Sequence, residues 1–279
     1  MKLTPEQLGA MIPTNNDVEA WCEELNKSLP VYDINTPQRI ASFISQCAHE
    51  SRDFTALEEN LNYSQSSLER VFGRYFGAGK RDAAEYHRQP EKIANYVYMD
   101  EFRSSRGALG NVKEGDGWRF RGKGLKQLTG RNNVEGFAKE YGIFAEEASD
   151  WLETKEGALA SALWFWGKNG LNAIADTGSV RAATKRINGG DIGLADRESR
   201  YARAMQALTG DIPPRAPVST TLRVGSKGDA VKQMQRKLGI AADGDFGPGT
   251  AKSVKAWQEA NGLTADGVIG PKSLAIMFG

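Results

Sequence analysis

Apolar residues recur at helical spacing along most of the chain, and polar or glycine-rich stretches interrupt them. Ile40, Phe43, Ile44 and Cys47 form one stripe, behind Thr36 as a cap and Pro37 at the first helical position, where a missing N–H costs nothing. Val18, Trp21, Cys22, Leu25 and Leu29 predict a helix over residues 17–29, capped by Asn16 or Asp17. Leu68, Val71, Phe72 and Tyr75 predict another, stopped by Gly77-Ala78-Gly79. Helix resumes over residues 80–106, with Pro90 opening a short segment through Ile93, Ala94 and Val97. Residues 157–168 are apolar nearly all round, the mark of a buried central helix with Trp164 to Trp166 in the core. A helix over 179–187 ends at Ile187-Asn188-Gly189-Gly190, and another runs from Leu194 through Asp196, Arg197, Tyr201 and Met205. Asn188 before paired glycines reads as a helix terminator and Arg197 as a surface ion pair. The elements make an all-α chain.

The interruptions are equally informative. Residues 107–124 are too rich in glycine for a helix and predict a loop or small hairpin. Its Trp118, Arg119, Phe120 and Arg121 either line a ligand groove or anchor one aromatic in the core of a tight turn. Gln127, Thr129 and Asn133 follow at the entrance of a helix over Leu125–Tyr141. There they serve as caps, or hold a water or an acetamido group. Residues 211–221 contain three prolines and no stripe, which predicts a stiff linker between a domain at 1–210 and one at 222–279. In the second domain Asp243-Gly-Asp-Phe-Gly-Pro-Gly-Thr recurs 23 residues on as Asp266-Gly-Val-Ile-Gly-Pro-Lys-Ser. Each copy is a turn feeding a helix, and helices over 228–238, 249–260 and 271–278 make a small bundle. A unit this small, with no polar constellation of its own, suits binding better than catalysis.

Composition narrows the choices. With 40% hydrophobic and 25% charged residues, the chain is an ordinary soluble globular one. Its opening residues hold no apolar run long enough for a signal peptide, and no later run is long enough to span a membrane. Cys22 and Cys47 are the only cysteines and His49 and His87 the only histidines, which predicts reduced structural thiols, no metal site and no cofactor. From residue 213 onward nine Lys/Arg face five Asp/Glu, against 27 and 30 before it. Such scattered charges solvate a surface, and no nucleic-acid motif accompanies them.

The chemistry centres on residues 47–64. Glu50 arrives at the far end of the Thr36-capped helix, about 70° off its apolar stripe. That half-buried position suits a proton donor, because desolvation disfavours an ionised carboxylate. Glu59 lies nine residues on, which on an unbroken helix faces it about 180° away. A break is therefore required, and Ser51, Arg52 and Asp53 supply it before Phe54, Leu57 and Leu61 begin a second short helical pattern. Two carboxyls flanking a glycosidic bond are what sugar-chain hydrolysis needs. The same spacing also fits a solvated helix face, and Glu58 lies nearer the apolar side of the second pattern than Glu59.

Four motifs in order carry a resemblance: His49-Glu50-Ser51; Glu59-Asn60-Leu61-Asn62-Tyr63-Ser64; Gly122-Lys123-Gly124-Leu125-Lys126-Gln127-Leu128-Thr129-Gly130-Arg131; and Ile187-Asn188-Gly189-Gly190. Residues 5–210 resemble the lysozyme-like endolysins of glycoside hydrolase family 19, the chitinase family. Residues 220–279 are similar to a type 1 peptidoglycan-binding domain. The resemblance implies a two-lobed lysozyme-like helical catalytic domain followed by a three-helix wall-binding module. It matches Glu50 to the general acid and Glu59, rather than Glu58, to the general base. Thr129 matches a hydroxyl that holds the attacking water, and Gln127, Asn133, Asn188 and Arg197 match groove-lining or carboxylate-orienting positions. The family inverts at the anomeric carbon, which implies carboxyls about 6.5–9.5 Å apart.

Plant members' disulfides are absent here, the Glu50–Glu59 segment is much shorter than theirs, and Ser51-Arg52-Asp53 stands where relatives have small residues. These departures favour a peptidoglycan substrate over chitin. The implied protein is a monomeric endolysin made in a host cytoplasm, binding bacterial peptidoglycan and dependent on a holin-type membrane-permeabilising partner. The alternatives are a chitinase, a non-catalytic wall-binding protein on a dead hydrolase fold, and a peptidase or amidase.

Overall fold

The computed structural model describes residues 1–104, 107–210 and 221–278. Its contacts divide the chain into two units, Met1–Ser45 with Ile192–Gly279, and Gln46–Asp191. Among the described residues the structure is helical, with extended pairing only as isolated bridges, as the sequence predicts. None of these helices is long and apolar enough to cross a membrane. The linker expected at 211–221 falls largely on residues 211–220, which lie outside the described residues.

In the first unit, α1 (Pro5–Met11) opens on a reciprocal cap between Thr4 and Gln7. Helix α2 (Val18–Ser28) buries Val18, Trp21, Cys22 and Leu25 along one stripe. The Cys22 thiol donates to the Leu3 carbonyl, and both cysteines are buried and outside any disulfide. Helix α3 (Pro37–Glu50) starts where Thr36 Oγ1 accepts from Arg39 N at 3.3 Å, as expected.

The second unit holds α4 (Gln65–Val71), α5 (Pro90–Val97), α6 (Asp116–Arg119), α7 (Arg131–Tyr141), α8 (Ala145–Trp151), α9 (Lys155–Lys168), α10 (Leu171–Ala175) and α11 (Val180–Asn188). Residues 80–104 are less helical than their pattern predicts: among these described residues only α5 and two single 3₁₀ turns form. One core gathers Leu61, Leu68, Phe76, Tyr86, Ile93 and Val97. A second gathers Phe120, Val134, Phe137, Ala148 and Leu152. Each such large side chain contributes about 1.5–3 kcal/mol when fully buried. Trp166 is in the core, but Trp164 and Phe165 are only half-buried.

The glycine-rich stretch is fastened to α7 by a buried ion pair. Arg131 donates to both oxygens of Asp116, at 2.6 and 3.0 Å, and lies over the Phe120 ring. Burial opposes ionisation of Asp116, but the Arg131 hydrogen bond, with N–H bonds from Lys113 and Val112, outweighs it and holds the carboxyl below its usual range. Phe120, fully buried, is the anchored aromatic that one reading of this stretch expected.

Helix α12 (Leu194–Thr209) contacts α1 in the first unit and buries Arg197, Ala204, Ala207 and Leu208. Arg197 is therefore not the surface residue its charge predicted: it is 1% exposed. The remaining elements are α13 (Asp229–Lys237), α14 (Pro248–Ala260) and α15 (Pro271–Phe278), within a residue or so of the expected bounds. They close over Leu222, Val231, Met234, Phe246, Val254, Ile269 and Leu274.

The 23-residue repeat is a structural repeat built on buried amides. Gln235 Nε2 donates to Asp243 Oδ1 and to the Asp245 carbonyl, while its Oε1 accepts from Gly244 N. Gln258 repeats this with Asp266, Val268 and Gly267. Each glutamine satisfies the polar groups of one turn, which a core this small cannot leave unpaired.

Candidate active site

Helix α3 ends at Glu50 because the next residue turns the chain. Ser51 Oγ donates to the Cys47 carbonyl at 2.7 Å and accepts from Phe54 N at 3.1 Å. Arg52, Asp53 and Phe54 then take φ of 51°, 57° and 64° in succession. Left-handed backbone costs a non-glycine residue about 1–2 kcal/mol. Burial of Asp53 and Phe54, and bonds from Asp53 N to Ala48 O and from Ala56 N to Ser51 O, offset that cost. The break expected at Ser51-Arg52-Asp53 is present, and strain of this kind concentrates at functional sites.

The second short helix expected from Phe54, Leu57 and Leu61 does not form. Residues 57–59 run extended against 122–124 instead: Gly124 N donates to Leu57 O at 2.7 Å and Glu59 N to Gly122 O at 2.8 Å. Extended backbone sends successive side chains to opposite faces, so Glu58 and Glu59 part. Glu58 pairs with Arg121, which lies 3.9 Å over the Trp118 ring. Glu59 is half-buried and receives the Tyr98 hydroxyl, 2.7 Å from both carboxylate oxygens. Burial and the adjacent Glu59 charge push the Tyr98 phenol far above its ordinary range, so it stays a donor. The same two causes raise Tyr63.

Beneath the pairing, buried Lys123 reaches Glu153 at 2.6 Å and Ser149 Oγ at 2.9 Å. Burial draws the Lys123 ammonium below its usual range, with Glu153 opposing the shift. This ion pair ties the extended segment to α8 and its flank.

The chain next folds back as a tight hairpin. Lys123 and Leu128 exchange backbone hydrogen bonds, and Gln127 sits at φ 55°. Gln127 and Thr129 are therefore not caps at a helix entrance, since α7 begins only after Gly130. Gln127 Nε2 donates to Gly124 O and Thr129 Oγ1 to Gln127 O, both at 3.0 Å. A methyl group built on Gly122 would lie 3.0 Å from Gln127 Oε1, 3.3 Å from Thr129 Oγ1 and 3.4 Å from Glu59 Cβ. These three side chains converge on the bare face of that glycine. On the same hairpin Lys126 Nζ lies 3.8 Å from Glu50 Oε1 and over the Phe165 ring.

One short segment, Gly122 to Thr129, thus reaches the Glu50 carboxylate through Lys126 and the backbone of Glu59 through Gly122. Asn133, in the first turn of α7, is exposed and donates to the Thr129 carbonyl at 2.7 Å. Asn188 closes α11 before the left-handed Gly189 and is exposed; among the described residues no hydrogen bond joins it to the hairpin. Arg197 belongs to the other unit. Sequence reasoning missed Tyr98 and Lys126. Tyr98 stands just past α5, where no stripe or motif marks it, and Lys126 lies within the Gly122–Arg131 motif with no signal that sets its ammonium apart.

Comparison with known proteins agrees with this architecture. Residues 228–277 match the model of a putative peptidoglycan binding domain. Chitinase C from Streptomyces griseus HUT6037 shares the fold with a TM-score of 0.51 at 16% identity, over 76% of this chain and 94% of that one. A bacterial family 19 chitinase does so with a TM-score of 0.50 at 15% identity, over 76% and 97%. A glycosyl hydrolase family 19 domain-containing protein of Haemophilus influenzae is 38% identical over 173 residues, 61% of this chain and 80% of the relative. With that much of a relative matched at that identity, on a shared fold, the chain belongs to glycosyl hydrolase family 19 and is a glycoside hydrolase carrying a peptidoglycan-binding domain.

Proposed function

We propose that the chain hydrolyses β-1,4 bonds of the bacterial peptidoglycan glycan strand by an inverting mechanism, with Glu50 as general acid and Glu59 as general base. The observation that carries this reading is the 122–129 hairpin, which contacts Glu50 through Lys126 and Glu59 through Gly122. A water between Glu59 and Thr129 donates one hydrogen to each, which leaves a lone pair for the anomeric carbon. Glu50, from the opposite face, protonates the leaving oxygen. Tyr98 fixes the base. Gln127 and Asn133 border the groove from the hairpin and from α7, and Asn188 and Arg197 take the groove-lining roles that the family resemblance assigns.

The working division is a catalytic domain at 1–210, a linker at 211–221 and a wall-binding module at 222–279. Tethering to the wall raises the effective concentration of the catalytic domain at its substrate. In this reading the protein acts as a monomeric endolysin. Made in the host cytoplasm, it reaches the wall once a holin-type partner permeabilises the membrane. The peptidoglycan-binding match at 228–277 favours this over a chitinase.

Mass spectrometry of fragments released from purified peptidoglycan, run beside purified chitin, tests the reading. New reducing ends on peptidoglycan fragments are expected. Free peptides without new reducing ends, or products from chitin alone, would overturn it.

A further inference from the structure

Away from the carboxylates, the second unit holds an open cavity of about 620 Å³ beside α5. Its floor is aromatic. Tyr86 and Tyr96 lie 5.3 Å apart between ring centroids, and Tyr96 and Phe102 4.7 Å apart. Phe76, 1% exposed, backs the first two rings and holds them. Over this floor stand two cations: Arg81 lies 5.3 Å from the Tyr96 ring and Lys92 Nζ 4.5 Å from the Tyr86 ring.

Among the described residues neither cation is within ion-pair distance of a carboxylate. Lys92 donates only to the Glu85 carbonyl, and Glu91 is the single acidic residue lining the cavity. Asn95 uses its Oδ1 on Trp118 N, leaving its Nδ2 hydrogens for a ligand. Cations held on aromatic faces, beside amides and without anionic partners, fit a ligand that brings its own carboxylates and a small apolar body. A neutral sugar would satisfy the floor and the amides but leave both charges unmatched.

We infer that this cavity is a subsite for the acidic stem peptide that hangs from a peptidoglycan strand. The inference rests on the proposed substrate and deepens it. Helix α5 carries Tyr96 on the cavity floor and, two residues on, leads to Tyr98, whose hydroxyl holds Glu59. A peptide seated there therefore rests on the element that positions the base. Chitin, which has no peptide, gains nothing from the site.

Two arms on the full chain test it. The first titrates a synthetic stem peptide with free carboxylates, and the same peptide fully amidated, while following tyrosine ring resonances by NMR. Saturable binding of the acidic form alone is expected, and Arg81→Ala/Lys92→Ala should weaken it about tenfold, the effect of two partly exposed charge pairs. Arg81→Lys/Lys92→Arg should retain it. Equal binding of the amidated peptide, no binding by the wild type, or no loss in the alanine pair overturns the subsite. The second arm compares reducing-end release from peptide-bearing strands and from strands stripped of peptide. The ratio of the two rates should fall by about the same factor in the alanine pair, and an unchanged ratio counts against the proposal. Should the wild type release no reducing ends from either substrate, the hydrolase reading fails, while the titration still decides the subsite.

Discussion

Tyr98→Phe removes one oxygen and leaves the ring in place, so it isolates the hydroxyl that lies 2.7 Å from both oxygens of Glu59. A hydrogen bond to a charged group is worth about 1.5–3 kcal/mol, which in a barrier corresponds to roughly 10–100-fold in rate. Most of that should appear as rate rather than stability. Glu59 is half-exposed, so water replaces the lost donor in the resting enzyme but does not hold the carboxylate in one rotamer. Reducing-end release from purified peptidoglycan, analysed for kcat and KM separately, is the assay. We expect kcat to fall by that factor with KM within about twofold, the pattern of an interaction realised in the transition state. A kcat within twofold of wild type would refute the positioning role. The phenol supplies an independent check. Its folded pKa lies above the unfolded value of 10.0, so its contribution to stability is fully present below pH 10.0 and is lost as pH rises past it. The Tm difference between wild type and Tyr98→Phe should therefore narrow in buffers above about pH 10.

Two further outcomes follow from the geometry. Gly122→Ala places a methyl 3.0 Å from Gln127 Oε1 and 3.3 Å from Thr129 Oγ1; kcat/KM should drop by about tenfold or more, as small misplacements at a reacting centre do, with little change in Tm by calorimetry. Gln258→Leu strips the second repeat of an amide that is 1% exposed and serves Asp266, Gly267 and Val268. A loss of about 3 kcal/mol or more is expected and should abolish pull-down on purified walls; retained pull-down would show that the amide is dispensable.

Much of this was legible in the chain, where short-range rules govern. The Thr36 cap, Pro37 and the stripe through Cys47 define α3 and bring Glu50 to its end. The paired turns at Asp243 and Asp266 define the repeat. Illegible features depend on partners distant in sequence or on conformations that residue type does not signal. Phe54, Leu57 and Leu61 have helical spacing, but three left-handed residues and the 122–124 segment make the stretch extended. That change of period is what separates Glu58 from Glu59 and leaves Glu58 the more exposed of the two, whereas the helical pattern put Glu58 nearer the apolar side. Arg197 looked like a surface charge because one sequence gives no view of what buries it. Gln235 falls at helical spacing with Val231, Met234 and Leu238, and nothing in the sequence marks its amide as structural; Tyr98 becomes visible only through Glu59.

The central claim is that Glu50 and Glu59 divide acid and base work across the hairpin. It is tested most directly by single-turnover release of reducing ends from defined glycan strands by wild type, Glu50→Gln and Glu59→Gln. Each amide should lower the rate by about 10²–10⁴-fold, the usual range for a lost general acid or base, while binding to purified walls persists. Near-normal turnover in either variant would contradict the assignment.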